Sequence, residues 1–216
     1  FLMQWAERKG IVRPISVVVA VKGRSVQEIR AVVEAGFTIL GENRLQEFFQ
    51  HQPYFPVVQW HFIGTLQSRK IPQILHHFSL IHSLDSWEHC QKMQKIAETE
   101  GLAPEVLIEV NVGKEPTKSG IYPEDFFPFL EKIEKFCPRV RVAGLMSLPP
   151  LLYPVERMRP YYEILRRLHQ QIQERYPERA MVFSAGTTDD FKLALEMGAN
   201  MIRLGRYFFE KGSEQL

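Results

Sequence analysis

The chain has 216 residues, of which 45% are hydrophobic and 24% are charged, and its formal net charge is +2. These values are typical of one large domain with a substantial core, and they give no reason to expect nucleic acid or an anionic membrane as a partner. The two cysteines match no metal-ligand spacing and no apolar stretch is long enough to span a membrane, so we expect a cytoplasmic protein without a metal site.

The first nine residues have the pattern of the end of a helix and lack the basic-then-apolar order of a signal peptide. Because the chain starts without a methionine, we expect part of that helix to precede Phe1. The first strand follows. Ile15 and residues 17–21 form an almost unbroken apolar run, which is typical of a strand buried on both faces of a parallel sheet.

Lys22 ends this first strand and is directly followed by Gly23. Low-dielectric surroundings disfavour the charged form of a lysine, and a neutral amine is a nucleophile that forms Schiff bases with carbonyl groups. The sequence therefore predicts a reactive lysine at the mouth of a buried strand. The alternative is a solvated lysine that opens a loop.

Strand and helix patterns alternate along the rest of the chain. Further strands are predicted at residues 37–40, 57–64, 80–83, 106–112, 140–146, 181–184 and 201–204, with helical patterns between them. Roughly eight such units predict a single α/β domain over residues 1–216, closed into a (β/α)₈ TIM barrel. An open doubly wound sheet is the alternative, but no glycine-rich dinucleotide fingerprint follows the first strand.

Functional groups of such a barrel gather at the C-terminal ends of its strands, and phosphate sites form from the loops after strands seven and eight. Candidates at these ends are Lys22, Gly41, Glu42, Asn43, His61, Gly64, Asn111, Met146, Ser147, residues 184–188, Arg203, Gly205 and Arg206. We interpret His61 as a hydrogen-bonded barrel histidine rather than a catalytic base. No histidine shows a metal-ligand spacing.

Residues 184–188 are small and rich in hydroxyl groups, and they are predicted to open a helix. Backbone N–H groups there and the positive end of the helix dipole suit a phosphate, and Gly186 allows a close approach. The alternative is a plain helix N-cap at Thr187 or Thr188, with two aspartates in the first turn. Those aspartates would repel a phosphate unless they point away. Gly205 and Arg206 offer a second turn and a cation beside the same loop.

Arg203 lies within the last apolar strand, where an unpaired guanidinium is costly. It could contact a ligand's ring nitrogen or phosphate, or form a salt bridge with a strand carboxylate such as Glu109. A Schiff-base lysine, a phosphate loop and such an arginine together describe a pyridoxal phosphate (PLP) pocket. A class I aldolase would also use a lysine and a phosphate site on this fold.

Motifs along nearly the whole chain carry a family resemblance. They are residues 20–22, 35–36, 41–43, 46–47, 60–64, 66–67, Lys70, residues 110–111, 118–120, 144–146, 184–190 and 202–205. With them the chain resembles the pyridoxal phosphate homeostasis protein family, which is related in fold to the N-terminal barrel of alanine racemase.

The resemblance implies that Lys22 carries PLP as a Schiff base, with Asn43 near the cofactor. It also implies that the phosphate is held by Ser184, Gly186 and Thr188 with the Gly205 turn, and that Arg203 faces the pyridine nitrogen. The family usually has serine before the lysine and a small hydroxyl residue after the strand-eight glycine. Val21 and Arg206 stand at these positions, and Arg206 could supply a charge in place of the hydroxyl.

The resemblance further implies a protein of vitamin B6 balance that does not catalyse a reaction. We expect a monomer that binds PLP, with the apo forms of PLP enzymes as candidate acceptors. One alternative is an amino-acid racemase. That reaction needs a second acid/base from an added domain, and we expect none because the sequence ends at Leu216, soon after the eighth strand. A Schiff-base aldolase is a further alternative.

Overall fold

A computed structural model describes residues 2–210, with side chains from Gln4 onward. Phe1 and residues 211–216, which the predicted domain includes, lie outside the described residues, as does the helical segment expected before Phe1. None of the described helices is long and apolar enough to cross a bilayer.

Eight parallel strands form a closed barrel in sequence order, with β8 pairing back to β1. This confirms the predicted TIM barrel, with small shifts at the strand ends. The strands are β1 (Ser16–Ala20), β2 (Ile39–Glu42), β3 (Gln59–Phe62), β4 (Leu80–Leu84), β5 (Glu105–Val110), β6 (Arg141–Ser147), β7 (Val182–Ser184) and β8 (Met201–Leu204).

Helices connect the strands and cover the outside of the barrel. They are α1 (Leu2–Arg8), α2 (Val26–Glu34), α3 (Leu45–His51), α4 (Ile71–His77), α5 (Trp87–Glu100), α6 (Phe126–Phe136), α7 (Arg159–Arg175), α8 (Phe191–Glu196) and α9 (Arg206–Phe209). Helix α2, the first helix after β1, illustrates why these helices start where they do. Ser25 caps α2 in a capping box with Glu28, which satisfies backbone donors at the helix start.

Neighbouring apolar residues of a strand pack in different clusters because successive side chains point to opposite faces. Val18 packs inside the barrel in a cluster with Leu80, Leu107, Met146 and Met201. Val19, its neighbour in β1, packs in the larger cluster with residues of the covering helices. Both faces of each strand are therefore buried, which explains the continuous apolar runs.

Gly144 is required where β6 pairs with β7. Its φ is +149°, and a Cβ at this position would lie 2.0 Å from the carbonyl oxygen of Val182. We expect Gly144→Ala to lower the free energy of unfolding by about 3 kcal/mol or more, because backbone must move away from backbone. Urea unfolding followed by circular dichroism measures this change.

Gly101 provides the matched control for that substitution. It has a φ of +70° at the end of α5, and a Cβ there would meet no atom within 4 Å. Gly101→Ala should therefore cost only the left-handed backbone penalty of about 1 kcal/mol. Equal losses in the two variants would contradict the proposed clash.

Candidate cofactor-binding site

The predicted site residues meet at one end of the barrel. Lys22 follows β1, Asn43 follows β2, Ser184 ends β7 and Arg203 lies in β8. In the closed barrel these strands are neighbours in the order β7, β8, β1, β2. The structure therefore places the predicted residues along one side of the barrel mouth.

Lys22 is exposed, and within the described residues its amine has no hydrogen bond or ion pair. The expectation of a lysine shielded from solvent is therefore wrong for the protein by itself. The reason is that β1 ends at Ala20, so Lys22 lies in the turn beyond the barrel interior. The next backbone N–H, that of Gly23, donates to Glu47 Oε2 at 2.6 Å, which ties this turn to α3.

Asn43 is half-buried and is positioned by the carboxylate of Glu42 before it. Glu42 is fully buried, and its Oε2 accepts hydrogen bonds from the backbone N–H groups of Asn43 at 3.0 Å and Arg44 at 3.5 Å. Its Oε1 lies 3.1 Å from Nδ1 of His51. Burial raises the pKa of Glu42. Gly64 follows β3 and allows the chain to pass close to Asn43, since a Cβ there would lie 2.4 Å from the Asn43 carbonyl oxygen.

The loop at residues 184–188 leads into α8 through one turn, in which the Thr187 carbonyl accepts from the backbone N–H groups of Asp190 at 3.2 Å and Phe191 at 2.9 Å. Helix α8 itself begins at Phe191 and has six residues, so the predicted helix start at Thr187 or Thr188 lies one turn too early. The reason is a turn closed by Asp190, whose Oδ1 accepts from the backbone N–H of Thr187 at 2.7 Å and from its hydroxyl at 2.9 Å. The other oxygen of Asp190 accepts from the buried Tyr162 hydroxyl.

Gly186 allows this loop to pack closely against α8. Its φ is +94°, and a Cβ would lie 2.7 Å from Cβ of Ala194 and 2.9 Å from Cα of Phe191. The loop also contacts the turn after β8, because the backbone N–H of Tyr207 donates to the Thr188 hydroxyl at 3.2 Å. The two predicted phosphate-binding turns therefore lie side by side.

Arg203 is 6% exposed and contacts residues of β7 and β6. Its Nη1 donates to Ser184 Oγ at 2.6 Å, and its Nη2 donates to the backbone carbonyl of Ser147 at 3.0 Å. Among the described residues it forms no salt bridge, so the alternative of an ion pair with Glu109 is wrong. Burial lowers the pKa of Arg203, while the nearby Tyr162, Asp190 and Glu109 raise it.

His61 is a buried, hydrogen-bonded histidine, as predicted. Its Nδ1 lies 3.1 Å from Nε2 of His82, and the other ring nitrogen of His82 lies 3.2 Å from Ser184 Oγ. Burial lowers the pKa of His61 to about 4 and that of His82 well below its ordinary value. His82 could not be recognised from the sequence as a partner of Ser184. The two residues are 102 positions apart, and no sequence pattern links them.

Glu109 lines a cavity of about 340 Å³ at the barrel mouth. Its other lining residues include Thr65, Asn111, Lys118, Ser119 and Leu148. In the described part of the chain its carboxyl group has no hydrogen bond or ion pair. Burial and the nearby Asp85 raise the pKa of Glu109 to about 7, against the opposing effect of Arg203. In the sequence, Glu109 is recognisable only as a possible ion-pair partner for Arg203.

Comparisons with known proteins identify the family. Residues 4–210 match the family model described as alanine racemase, N-terminal domain. A pyridoxal phosphate homeostasis protein from Aquifex aeolicus (strain VF5) is 39% identical over 183 residues, covering 84% of this chain and 80% of that protein. Its counterpart from Helicobacter pylori (strain J99) is 30% identical over 204 residues, covering 91% and 88%. This chain belongs to the pyridoxal phosphate homeostasis protein family.

A solved structure extends the likeness to three dimensions. PipY of Synechococcus elongatus PCC7942, in its structure with PLP bound, is 28% identical and superimposes with a TM-score of 0.80. The match covers 96% of this chain and 98% of PipY. The structure of PipY without PLP gives a TM-score of 0.82 at 29% identity.

Arg206 stands where the resemblance led us to expect a small hydroxyl residue. Its side chain is exposed and forms an ion pair with Asp189 of the neighbouring loop. The two aspartates that were expected to repel a phosphate are thus both engaged, Asp189 with Arg206 and Asp190 with Tyr162 and Thr187. In this chain an ion pair closes this side of the loop.

Proposed function

We propose that this protein binds pyridoxal 5′-phosphate and takes part in intracellular PLP homeostasis, without catalysing a reaction of its own. The observation that carries the proposal is the likeness to PipY, whose structure contains PLP, over 96% of this chain. The names of the Aquifex and Helicobacter relatives give the same role.

The residues at the barrel mouth fit this cofactor. Gly186 packs against α8 where any side chain would collide, so the loop is formed by bare backbone at this point. Arg203 uses one N–H of each terminal nitrogen and keeps three further N–H groups for a ligand. Lys22 presents an exposed amine that is not committed to a carboxylate among the described residues.

The roles that we propose for these residues are those that the family resemblance implies. When bound, PLP supplies an aldehyde that condenses with a primary amine, and Lys22 would hold it by that Schiff base. Gly186, Thr188 and Gly205 would bind the phosphate, with Arg206 as a nearby charge and Asn43 beside the cofactor. Arg203 would face the pyridine nitrogen. The resemblance also assigns Ser184 to the residues that bind the cofactor.

We propose that racemisation and aldol cleavage are absent. Three buried acid/base groups near Arg203, those of His61, His82 and Tyr162, support this proposal because each is engaged with a neighbouring group. His61 and His82 share a hydrogen bond, and the Tyr162 hydroxyl donates to Asp190. Burial and Asp190 raise the pKa of Tyr162 far above its ordinary value, so this hydroxyl does not exchange protons readily near neutral pH.

Borohydride trapping tests the proposal. The purified protein is mixed with PLP, reduced with borohydride and digested for peptide mapping. We expect a visible absorbance band before reduction, a label on Lys22 after it, and no detectable alanine racemisation or aldol cleavage. A label on another residue, no label, or sustained turnover would contradict the proposal.

Thr188→Val is expected to weaken PLP binding about tenfold, because it removes a hydroxyl from the phosphate loop. The same substitution should leave the affinity for pyridoxal, which lacks the phosphate, unchanged. Titration of the absorbance band with both ligands measures this difference. An equal loss for both ligands would mean that Thr188 does not contact the phosphate.

We further propose a cytoplasmic monomer from which PLP passes to the apo forms of PLP enzymes. Two features support this proposal. Cys90 and Cys137 are buried free thiols, which suits a reducing compartment, and Lys22 is open to an incoming amine. Mixing the PLP-loaded protein with an apo-enzyme should restore that enzyme's activity faster than spontaneous release of PLP allows, and sedimentation should give the mass of one chain.

A further inference from the structure

A chain of hydrogen bonds crosses the barrel interior below the candidate site. It starts at Arg203 in β8, passes through Ser184 in β7 and His82 in β4, and ends at His61 in β3. The distances are 2.6 Å, 3.2 Å and 3.1 Å. All four side chains are at most 6% exposed, so water does not compete for these contacts.

Hydrogen-bond chemistry gives this chain a direction. Arg203 can only donate, so Ser184 Oγ accepts from it. The hydroxyl proton of Ser184 then has Nδ1 of His82 as its acceptor. Neutral His82 must carry its own proton on Nε2 and donate it to Nδ1 of His61. If His82 donated to Ser184 instead, the Ser184 hydroxyl would have no acceptor among the described residues. A buried donor without an acceptor is costly.

The charges around the chain keep both histidines neutral. His82 faces His61 and Arg203, and a proton on His82 would add a second buried cation beside the guanidinium. Arg203 in turn faces Tyr162, Asp190 and Glu109. The burial of His61 and His82 disfavours their charged forms. Neutral histidines with fixed tautomers can hold the serine hydroxyl in one orientation.

We propose that Ser184, His82 and His61 are positioning residues for Arg203, and that the Ser184 hydroxyl acts through the guanidinium rather than through the phosphate. The inference rests on the proposed function because Arg203 is there assigned to the ring nitrogen of PLP. The second anchor of Arg203 is the Ser147 backbone carbonyl. Together the two anchors leave the remaining N–H groups of Arg203 for the ligand.

The apo protein allows a test that does not involve PLP. Nitrogen-15 NMR of the histidine rings should show protons on Nε2 of both His61 and His82, with no titration of either ring between pH 8 and pH 5. Ser184→Ala should convert His82 into a mixture of tautomers. Protons on Nδ1, or an unchanged spectrum in Ser184→Ala, would overturn the proposed chain.

Ser147→Ala is the matched control. Ser147 is as buried as Ser184 and lies on the strand next to β7, but its hydroxyl donates to the Val110 carbonyl at 2.6 Å and takes no part in the chain. Its removal should leave both histidine tautomers unchanged. A shift of the histidine signals as large as that in Ser184→Ala would mean that they report general packing, which would also overturn the proposal.

The second test compares PLP with pyridoxal. If Ser184 positions Arg203, Ser184→Ala and His82→Leu should each weaken both ligands by about the same factor, roughly tenfold. If Ser184 binds the phosphate, Ser184→Ala should weaken PLP alone, and the positioning role is overturned. If the wild-type protein binds neither ligand, the proposed function fails, while the NMR measurement still decides whether the chain exists.

Discussion

Lys22→Ala is expected to abolish the absorbance band that forms when PLP is added to the wild-type protein. The reason is that the band requires an amine bonded to the aldehyde, and no other side chain of the predicted site carries a primary amine. Because Lys22 is exposed and unpaired among the described residues, its loss should change the free energy of unfolding by no more than about 0.5 kcal/mol. Absorbance titration and urea unfolding on the same samples separate the two effects.

Lys114→Ala is the control for this experiment. Lys114 is an exposed lysine on the loop after β5 and forms an ion pair with Glu124 at 2.7 Å. The band should persist in this variant with unchanged intensity. If Lys22→Ala keeps the band, or if Lys114→Ala loses it, the assignment of the Schiff base to Lys22 is wrong.

Glu109→Gln is expected to raise the free energy of unfolding relative to wild type as the pH increases. The difference between variant and wild type should be about 3 kcal/mol larger at alkaline pH than at acidic pH. In the folded protein the pKa of Glu109 is raised from 4.5 to about 7. A raised pKa contributes stability below pH 4.5, and that contribution is lost as the pH rises through 7. Each pKa unit corresponds to about 1.4 kcal/mol, and glutamine has no charge to bury.

The difference between the two proteins is the informative quantity. His61, whose pKa is lowered to about 4, changes stability in the opposite direction, because its contribution is present above pH 6.5 and is lost as the pH falls through 4. Its effect is common to both proteins and cancels in the difference. Urea unfolding of each protein at pH 4.5, 6, 7 and 8 gives the curve.

Glu105→Gln provides the comparison on the same strand. Glu105 is partly exposed and pairs with Arg141 at 3.6 Å, an arrangement that contributes little to stability. The stability of this variant should follow that of wild type at every pH. If the free energy of unfolding of Glu109→Gln also followed that of wild type at every pH, the carboxyl group of Glu109 would ionise in the folded protein as it does in water, and the prediction would be wrong.

The strand order and the position of the candidate site could be predicted because they depend on local patterns. The apolar run before Lys22 and the short strand around Arg203 were recognisable, and functional groups of a TM barrel lie at the C-terminal ends of the strands. The loop at residues 184–188 was predicted as part of the site but with the wrong local structure. Asp190 binds Thr187 and delays the start of α8, and this competition between a turn and a helix N-cap is not visible in composition.

The partners of the buried polar groups could not be predicted. Glu109 was a reasonable ion-pair candidate for Arg203 on charge, but the guanidinium is held by a serine hydroxyl and a backbone carbonyl. His82 and Ser184 are separated by 102 positions in the chain, and only the closed barrel brings their side chains within 3.2 Å. Whether a buried polar group is satisfied depends on such distances and angles.

By itself, the sequence determined that the chain alternates strands and helices, that lysine, arginine and a glycine-containing loop come at strand ends, and which family it resembles. Only the tertiary structure decided that Lys22 is exposed, that Asp189 and Arg206 form an ion pair, and that hydrogen bonds connect Arg203 through Ser184 to two buried histidines. The physical reason is that secondary structure follows from neighbours along the chain, whereas solvent exposure and hydrogen bonding depend on residues that closure of the barrel brings together.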